Sequence, residues 1–366
     1  MKILVDARSL VESRRGGVGR VAHALIRAYA ETYKEDQLIC VTTGWSRPSL
    51  PEDLARHTNI VHRHYRIPNK LWSITSTVVP LPSFVTKGVD AIFLPNLGFI
   101  GKLPKKIPTT LLLHDLSFMI DGQWFTRKQR LWHRFVGATK MIQSATRLLA
   151  VSERTRQDAH RLLDVPLERI TVISIGKIEL GEPTTNLDQG AWHAPLRGER
   201  FVLVMGANDR RKNAATAVEA VRRLKLENGF ENLELVLIGS RPKWSESWLH
   251  QLPRPTDAEI ALLYRDANAF LYPSWYEGFG LPLHEAASFG TPCLASLASA
   301  LPETAPEGTR FIDPAKPHHW VEALKETLTA PEGHRTRTMR TQEEWREAAR
   351  RMRETFRKDS SPNVGA

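Results

Sequence analysis

The sequence predicts an α/β protein built from two Rossmann-like domains. Three observations carry this expectation. Short aliphatic and β-branched runs alternate with helical stretches, the pattern of parallel sheets. The series runs through residues 1–175 and starts afresh near residue 200. At 366 residues the chain is also too long for one ordinary core.

Strands are expected at Lys2–Asp6, Leu38–Thr42, Asn59–His62, Ala91–Leu94, Thr109–His114, Arg147–Val151 and Ile170–Ser174 in the first half. The second half offers Phe201–Met205, Glu234–Ile238, Ala269–Tyr272, Pro292–Ala295 and Arg310–Ile312. Helical patterns between them include Ala214–Leu226 and Trp320–Leu328. The first domain is placed at 1–175 and the second at 200–340. Residues 176–199 contain Gly-Glu-Pro-Thr-Thr-Asn, lack apolar periodicity and read as a linker. Residues 341–358 form a charged helix with Trp345, Ala349, Met352 and Phe356 at near-helical spacing, and the tail 359–366 reads as disordered. Two such domains would face a central cleft at the C-terminal ends of their strands, where open α/β sheets bind ligands.

Composition narrows the class. Hydrophobic residues make up 42% and charged residues 25%, the balance of a soluble globular protein. No apolar run approaches the ~20 residues of a membrane span, and residues 1–10 are strand-like rather than a leader, so a cytosolic protein is expected. Cys40 and Cys293 lie in separate apolar runs and read as buried thiols. Net charge is +11, and it is uneven. Residues 1–175 hold 26 Lys+Arg against 14 Asp+Glu, whereas the remainder holds 25 against 26. The basic half suits either an anionic partner or a solubilising surface. No nucleic-acid recognition motif accompanies it.

Four motifs fall at expected strand ends. The first runs from Pro273 to Pro292. A strand ends, a loop carries Glu277, Gly278, Phe279 and Gly280, and a helix begins near Leu281 with Glu285 one turn inside. Helix-start N–H groups can hold a phosphate, glycines let backbone approach a ligand, and ionised carboxylates accept from hydroxyls. The second is Gly206-Ala-Asn-Asp-Arg210-Arg211-Lys212-Asn213, where cations gather before a helix. The third, Arg14-Arg15-Gly16-Gly17-Val18-Gly19-Arg20, could open a dinucleotide fold. That fold wants an acidic residue ending the second strand, and this strand ends in Thr42-Thr43-Gly44. The fourth is His114-Asp115. There Asp115 could orient the imidazole or bind a substrate.

The segment Glu277 to Glu285, with its surrounding Pro-Ser-x-x-Glu-Gly-Phe-Gly and Gly-Thr-Pro, resembles the Glu-x7-Glu signature of the family-4 glycosyltransferases of the GT-B fold. Further similarity lies in Ala150-Val-Ser152-Glu, Leu301-Pro-Glu303 and the Glu344-Trp345 helix, so the resemblance spans Lys2 to about Phe356. It implies a retaining transfer of sugar from a nucleotide-sugar donor to a saccharide or lipid-linked acceptor, as in polysaccharide synthesis. By resemblance Gly16, Gly17, Gly206, Gly278, Phe279, Gly280, Leu281 and Glu285 border the donor, Arg211 and Lys212 grip its diphosphate, and Glu277 and His114 face its sugar. Similarity to bacterial polysaccharide mannosyltransferases, through His-Asp-Leu-Ser-Phe and Arg-Lys-Asn, favours GDP-mannose. An epimerase or phosphorylase-like enzyme of the same fold, and a non-catalytic nucleotide-sugar binder, are the alternatives.

Two stretches depart from the family pattern: Ser174-Ile-Gly176-Lys-Ile-Glu179, and Leu252-Pro253-Arg254-Pro255 before the helix Thr256–Asp266. No Asp-x-Asp loop of a magnesium-dependent GT-A enzyme is present, and no metal or other cofactor is expected. His62/His64 and His318/His319 are too closely spaced for a site and read as surface residues. The stretch His62-Arg63-His64-Tyr65-Arg66, with Lys70 and Trp72, mixes cations and aromatics. It suits an anionic membrane surface or a lipid-linked acceptor, with Arg63, Arg66 and Asp115 on the acceptor side and the enzyme peripheral at the inner face.

Overall fold

The computed structural model describes residues 1–11, 16–69, 72, 82–98, 103–180, 200–239, 244–330, 337 and 339–357. The chain divides into two units, Met1–Ile178 with Thr341–Ala366, and Glu179–Arg340. Most of the expected linker (181–199), Arg14, Arg15, Lys70 and the tail 359–366 lie outside the described residues.

Unit 1 holds one parallel sheet of seven strands: β1 (Lys2–Asp6), β2 (Gln37–Thr43), β3 (Ile60–Tyr65), β4 (Ala91–Leu94), β5 (Thr109–Leu113), β6 (Arg147–Ala150) and β7 (Ile170–Val172). Their order is β3-β2-β1-β4-β5-β6-β7, so the winding reverses between β1 and β4. Helix α1 (Gly17–Thr32) buries Val21, Ala22, Leu25, Ile26 and Tyr29, a stripe at helical spacing. Helix α2 (Glu153–Leu163) starts at Ser152, whose hydroxyl accepts from the Thr155 N–H at 3.1 Å.

Unit 2 repeats the arrangement with six parallel strands, β8 (Phe201–Met205), β9 (Glu234–Ile238), β10 (Leu249–Leu252), β11 (Ala269–Tyr272), β12 (Cys293–Ser296) and β13 (Arg310–Ile312), in the order β10-β9-β8-β11-β12-β13. Its helices include α3 (Ala214–Leu224), α4 (Asp257–Asp266), α5 (Leu281–Ser288) and α6 (Pro317–Thr329). Side chains alternate between two cores, as the period of a strand requires. Val202, Val204, Leu235, Leu237, Ala269 and Leu271 pack on one face with α3 and Trp320. Phe201, Leu203, Val236, Ile238, Phe270 and Tyr272 pack on the other with Tyr264 and Leu283.

Each strand expected from the sequence is present, within three residues at either end. Among the described residues, the one strand the pattern did not reveal is β10. Its sequence Leu-His-Gln-Leu is half polar, because it is an edge strand pairing only with β9 and its middle residues are partly exposed.

The last helix, α7 (Gln342–Phe356), belongs to unit 1. Its start is a capping box, Thr341 with Glu344. Phe356 meets Tyr29 of α1 and Phe93 of β4 edge-on, at 6.1 and 6.4 Å between ring centres. Arg353 Nε donates to Asp36 at 2.9 Å and its guanidinium lies over the Tyr33 ring. At the other end the Trp345 Nε1–H donates to the Lys177 carbonyl at 2.8 Å. A Cβ on Gly176 would stand 2.5 Å from Trp345 Cδ1 and 2.8 Å from the Thr341 carbonyl, so only glycine admits the tryptophan.

Gly176→Ala should therefore destabilise the protein by about 1–3 kcal/mol through overpacking, and Trp345→Ala by about 3–5 kcal/mol through the cavity it leaves. In the Trp345→Ala background the alanine at 176 should cost less, by the share due to the indole, while the contact with the Thr341 carbonyl remains. Denaturant unfolding of the two single variants and the double variant checks this, and additive losses would contradict the close-approach role of Gly176.

Candidate functional site

The site in unit 2 is assembled at the C-terminal ends of the adjacent strands β8 and β11. After Met205 the chain turns through Gly206, at φ +81, in the left-handed region. A Cβ there would lie 2.9 Å from Lys212 Cγ, so the glycine provides both the turn and the channel in which the lysine lies. Asp209 then holds the basic turn Arg210–Lys212. Its carboxylate accepts from the Arg211 N–H at 2.9 Å and from the guanidinium at 3.2 and 3.3 Å. The Arg211 carbonyl accepts from the Trp275 N–H at 2.8 Å, which ties this turn to the loop after β11.

That loop delivers Glu277, which is 5% exposed. Lys212 Nζ donates to Glu277 Oε1 at 2.6 Å, and Arg211 Nη1 lies 4.0 Å from Oε2. Burial pushes the Glu277 carboxyl up, but the Lys212 and Arg211 charges more than reverse this and hold it below the ordinary carboxylate range. The loop is fixed from behind: Ser299 Oγ donates to the Glu277 carbonyl at 2.5 Å, and Thr304 Oγ1 to the Phe279 carbonyl. Gly278 and Phe279 are buried within it, Gly280 caps α5 without a side-chain hydrogen bond, and Leu281 is the first helical residue. Glu285 is buried on α5, where its Oε2 accepts from the Tyr264 hydroxyl at 3.2 Å.

The structure thus brings Gly206, Arg211, Lys212 and Glu277 together. Arg210 is exposed in the same turn. Sequence reasoning missed Asp209, Tyr272 and Tyr264. Asp209 stood inside the quoted motif, and an acid two residues before an arginine is a local signal. The two tyrosines gave none, because they read as apolar members of a core strand and helix.

In unit 1, Gly16 and Gly17 open α1 and are exposed. His114 follows β5, and its Nε2 donates to the Pro95 carbonyl at 2.9 Å. Burial holds the imidazole below its ordinary pKa, against the raising effects of that hydrogen bond and of Asp115, so it is neutral with its proton on Nε2. Asp115 accepts from the Ser117 N–H and hydroxyl at 2.9 and 2.6 Å, which turns the chain after the strand.

The 62–72 stretch needs correction. His62 and His64 are not free surface residues: a ring nitrogen of each bonds the Thr42 hydroxyl, at 2.7 and 3.1 Å. Tyr65 and Trp72 stack on each other and pack into the core, with Trp72 buried. Among the described residues of this set, Arg63 and Arg66 are the exposed ones. An aromatic at the surface next to Arg66 is Trp45, 76% exposed, whose carbonyl accepts from Arg66 Nε at 3.4 Å. Among the described residues no group of three or more His, Cys, Asp or Glu could hold a metal, and no helix is long and apolar enough to cross a membrane. Cys40 and Cys293 are buried free thiols, pushed up to about 12 by burial.

Comparison with known proteins gives matches along most of the chain. Residues 15–176 match the model of Glycosyltransferase Family 4, and residues 192–352 that of Glycosyl transferases group 1. The chain is 28% identical over 243 residues to O-antigen chain mannosyltransferase B of Escherichia coli, covering 60% of each. It is 30% identical over 224 residues to MMP alpha-(1->4)-mannosyltransferase of Mycolicibacterium hassiacum, covering 57% of this chain and 52% of that one. The matched region is thus only half to three-fifths of these relatives. Among solved structures, sucrose-phosphate synthase from Thermosynechococcus elongatus superposes with a TM-score of 0.65 over 97% of this chain and 94% of that one, at 17% identity.

One titration follows from the packing of α5. His284 stacks on Phe279, and its Nε2 is buried without a hydrogen-bond partner. Burial, aided by the Arg340 charge, lowers its pKa from 6.5 to about 4. Between those two values the unfolded chain binds a proton that the folded one refuses. Stability therefore falls as pH falls through this window, by about 1.4 kcal/mol for each pH step of one. His284→Gln should flatten that fall. Urea midpoints at neutral pH and near the bottom of the window, for both proteins, check it, and parallel losses would rule out His284 as the source.

Proposed function

The chain belongs to the family-4 glycosyltransferases of the GT-B fold, and on that premise we propose that it moves a sugar from a nucleoside-diphosphate sugar to a saccharide or lipid-linked acceptor, with retention at the anomeric carbon and without a metal ion. One observation carries this reading. Lys212 and Arg211 converge on a buried carboxylate, Glu277, at the paired ends of β8 and β11.

The chemistry follows from those charges. As the bond from the anomeric carbon to the donor phosphate breaks, negative charge builds on the leaving diphosphate. Preorganised cations at 211 and 212 stabilise it, in the role a divalent ion fills elsewhere. The acceptor oxygen bonds the anomeric carbon on the same face, and its proton passes to the leaving phosphate oxygen. Glu277 contacts the donor sugar, while Glu285 takes the ribose hydroxyls. The relatives named above are mannosyltransferases, so GDP-mannose is the first donor to try and polysaccharide synthesis the setting.

Lys212→Ala should lower turnover by about two to three orders of magnitude, the equivalent of roughly 2–4 kcal/mol at the transition state, in a chain that still folds but has a lower thermal midpoint, because buried Glu277 loses its partner. Transfer from GDP-mannose, followed by acceptor-dependent release of GDP, is the assay. It should proceed equally with and without EDTA. Loss of activity in EDTA that magnesium restores would contradict the metal-free mechanism, and a normal rate in the variant would remove Lys212 from the site.

A peripheral position on an anionic membrane is the second part of the proposal. Arg63 and Arg66 are exposed, and the exposed Trp45 lies next to Arg66. Each cation at an anionic leaflet contributes about 1 kcal/mol, and tryptophan favours the headgroup region. Binding to vesicles containing phosphatidylglycerol, but not to neutral ones, should blue-shift Trp45 fluorescence and weaken with salt. Arg63→Glu with Arg66→Glu should weaken binding while donor affinity is unchanged. Equal partitioning to both vesicle types would exclude this surface.

A further inference from the structure

The strand that carries Glu277's loop ends in Tyr272, a residue whose surroundings are at odds with its place in an apolar face. Its neighbours on that face are Phe270, Tyr264 and Leu283, and it is fully buried. Phenylalanine would fill this volume as well and leave no polar atom to satisfy. The phenol oxygen instead accepts from Lys212 Nζ at 2.5 Å, and the same ammonium lies 4.7 Å from the ring centre. Lys212 Nζ donates as well to Glu277 Oε1, at 2.6 Å. The ammonium therefore bridges phenol and carboxylate. Burial first, then the Glu277 charge, pushes the phenol's pKa far up, so its proton stays in place to be donated.

An ammonium has three N–H groups. In this site one goes to Tyr272 and one to Glu277. A lysine held by the carboxylate alone would keep the freedom of its long side chain and could fold down onto that charge. The tyrosine gives it a second fixed point, on the rigid end of a central strand.

We propose that Tyr272 is the positioning residue for Lys212: its hydroxyl holds the ammonium between strand end and Glu277 and leaves the third N–H directed to a phosphate oxygen of the donor. This rests on the reading of the site as one for a nucleoside-diphosphate sugar. Tyr272 acts through Lys212, by fixing where the charge sits before the donor arrives.

The test is Tyr272→Phe, which keeps the ring and removes only the hydroxyl. Titrations with GDP and UDP, and with GMP and UMP, read the diphosphate contact separately from the nucleoside. The variant should bind the diphosphate about tenfold more weakly, as for loss of one charge-assisted hydrogen bond, with monophosphate affinity within about twofold. Its kcat should fall while KM for the acceptor is unchanged. In a Lys212→Met background the same substitution should have no further effect on diphosphate binding. Unchanged diphosphate affinity in Tyr272→Phe overturns the proposal. So do equal losses for mono- and diphosphates, or a persistent effect in the Lys212→Met background, because these mark a tyrosine that only fills the core. If the unmodified chain binds neither GDP nor UDP, the donor-site reading itself falls and takes the positioning role with it.

Discussion

A carboxylate taken out of water must be met by positive charge, and the architecture of unit 2 around the site answers that requirement. Glu277 is buried at the end of β11, and its partners come from the turn after β8, the neighbouring strand. Parallel pairing of these two strands fixes the distance between carboxylate and cations before any side chain chooses a rotamer. Removing one member of a buried pair usually costs about 3–5 kcal/mol, because the other is left uncompensated. The supporting contacts make sense in that light. Asp209 holds the arginine, the Arg211 carbonyl ties one loop to the other, and Ser299 secures the glutamate's backbone. The buried carboxylate is tolerated here because Lys212 and Arg211 meet its charge.

The alternating strands explain how two kinds of chemistry share one sheet. Successive residues of β8, β9 and β11 feed opposite cores, so the strand interiors are uniformly apolar and function is confined to the ends. The same geometry places His114 at the end of β5 in unit 1, where burial keeps the imidazole neutral. A neutral ring with its proton on Nε2 is a different chemical object from an imidazolium, and the Pro95 carbonyl decides which nitrogen carries the proton.

Much of this was legible in the sequence because it is local. Strand-length apolar runs, the glycine before the basic turn, and the Glu277–Glu285 segment are all signals spanning fewer than about a dozen residues. What was not legible depends on partners far away in sequence. Tyr272 looks like a core residue until Lys212 is seen beneath its hydroxyl, and Gly176 looks like the start of a linker until Trp345 is packed on it. The 62–72 stretch misled for a related reason. Composition marked its aromatics as a surface feature, yet strand alternation and the stacking of Tyr65 on Trp72 turn them inward, and the exposed indole belongs to Trp45 on the neighbouring chain segment.

The return of α7 to unit 1 makes that unit discontinuous in sequence, with all of unit 2 inserted before its last helix. A ribosome delivers the chain from one end. The seven strands of unit 1 emerge together, but the helix that covers Tyr29 and Phe93 follows only after Glu179–Arg340 has been synthesised. At roughly 5–20 residues per second the nascent sheet waits on the order of ten seconds or more with that apolar face uncovered. During this interval unit 2, continuous in sequence, has everything it needs to fold. The unit that begins first is thus the one completed last, and the exposed face of its unfinished sheet is where a chaperone would be most useful to the growing chain.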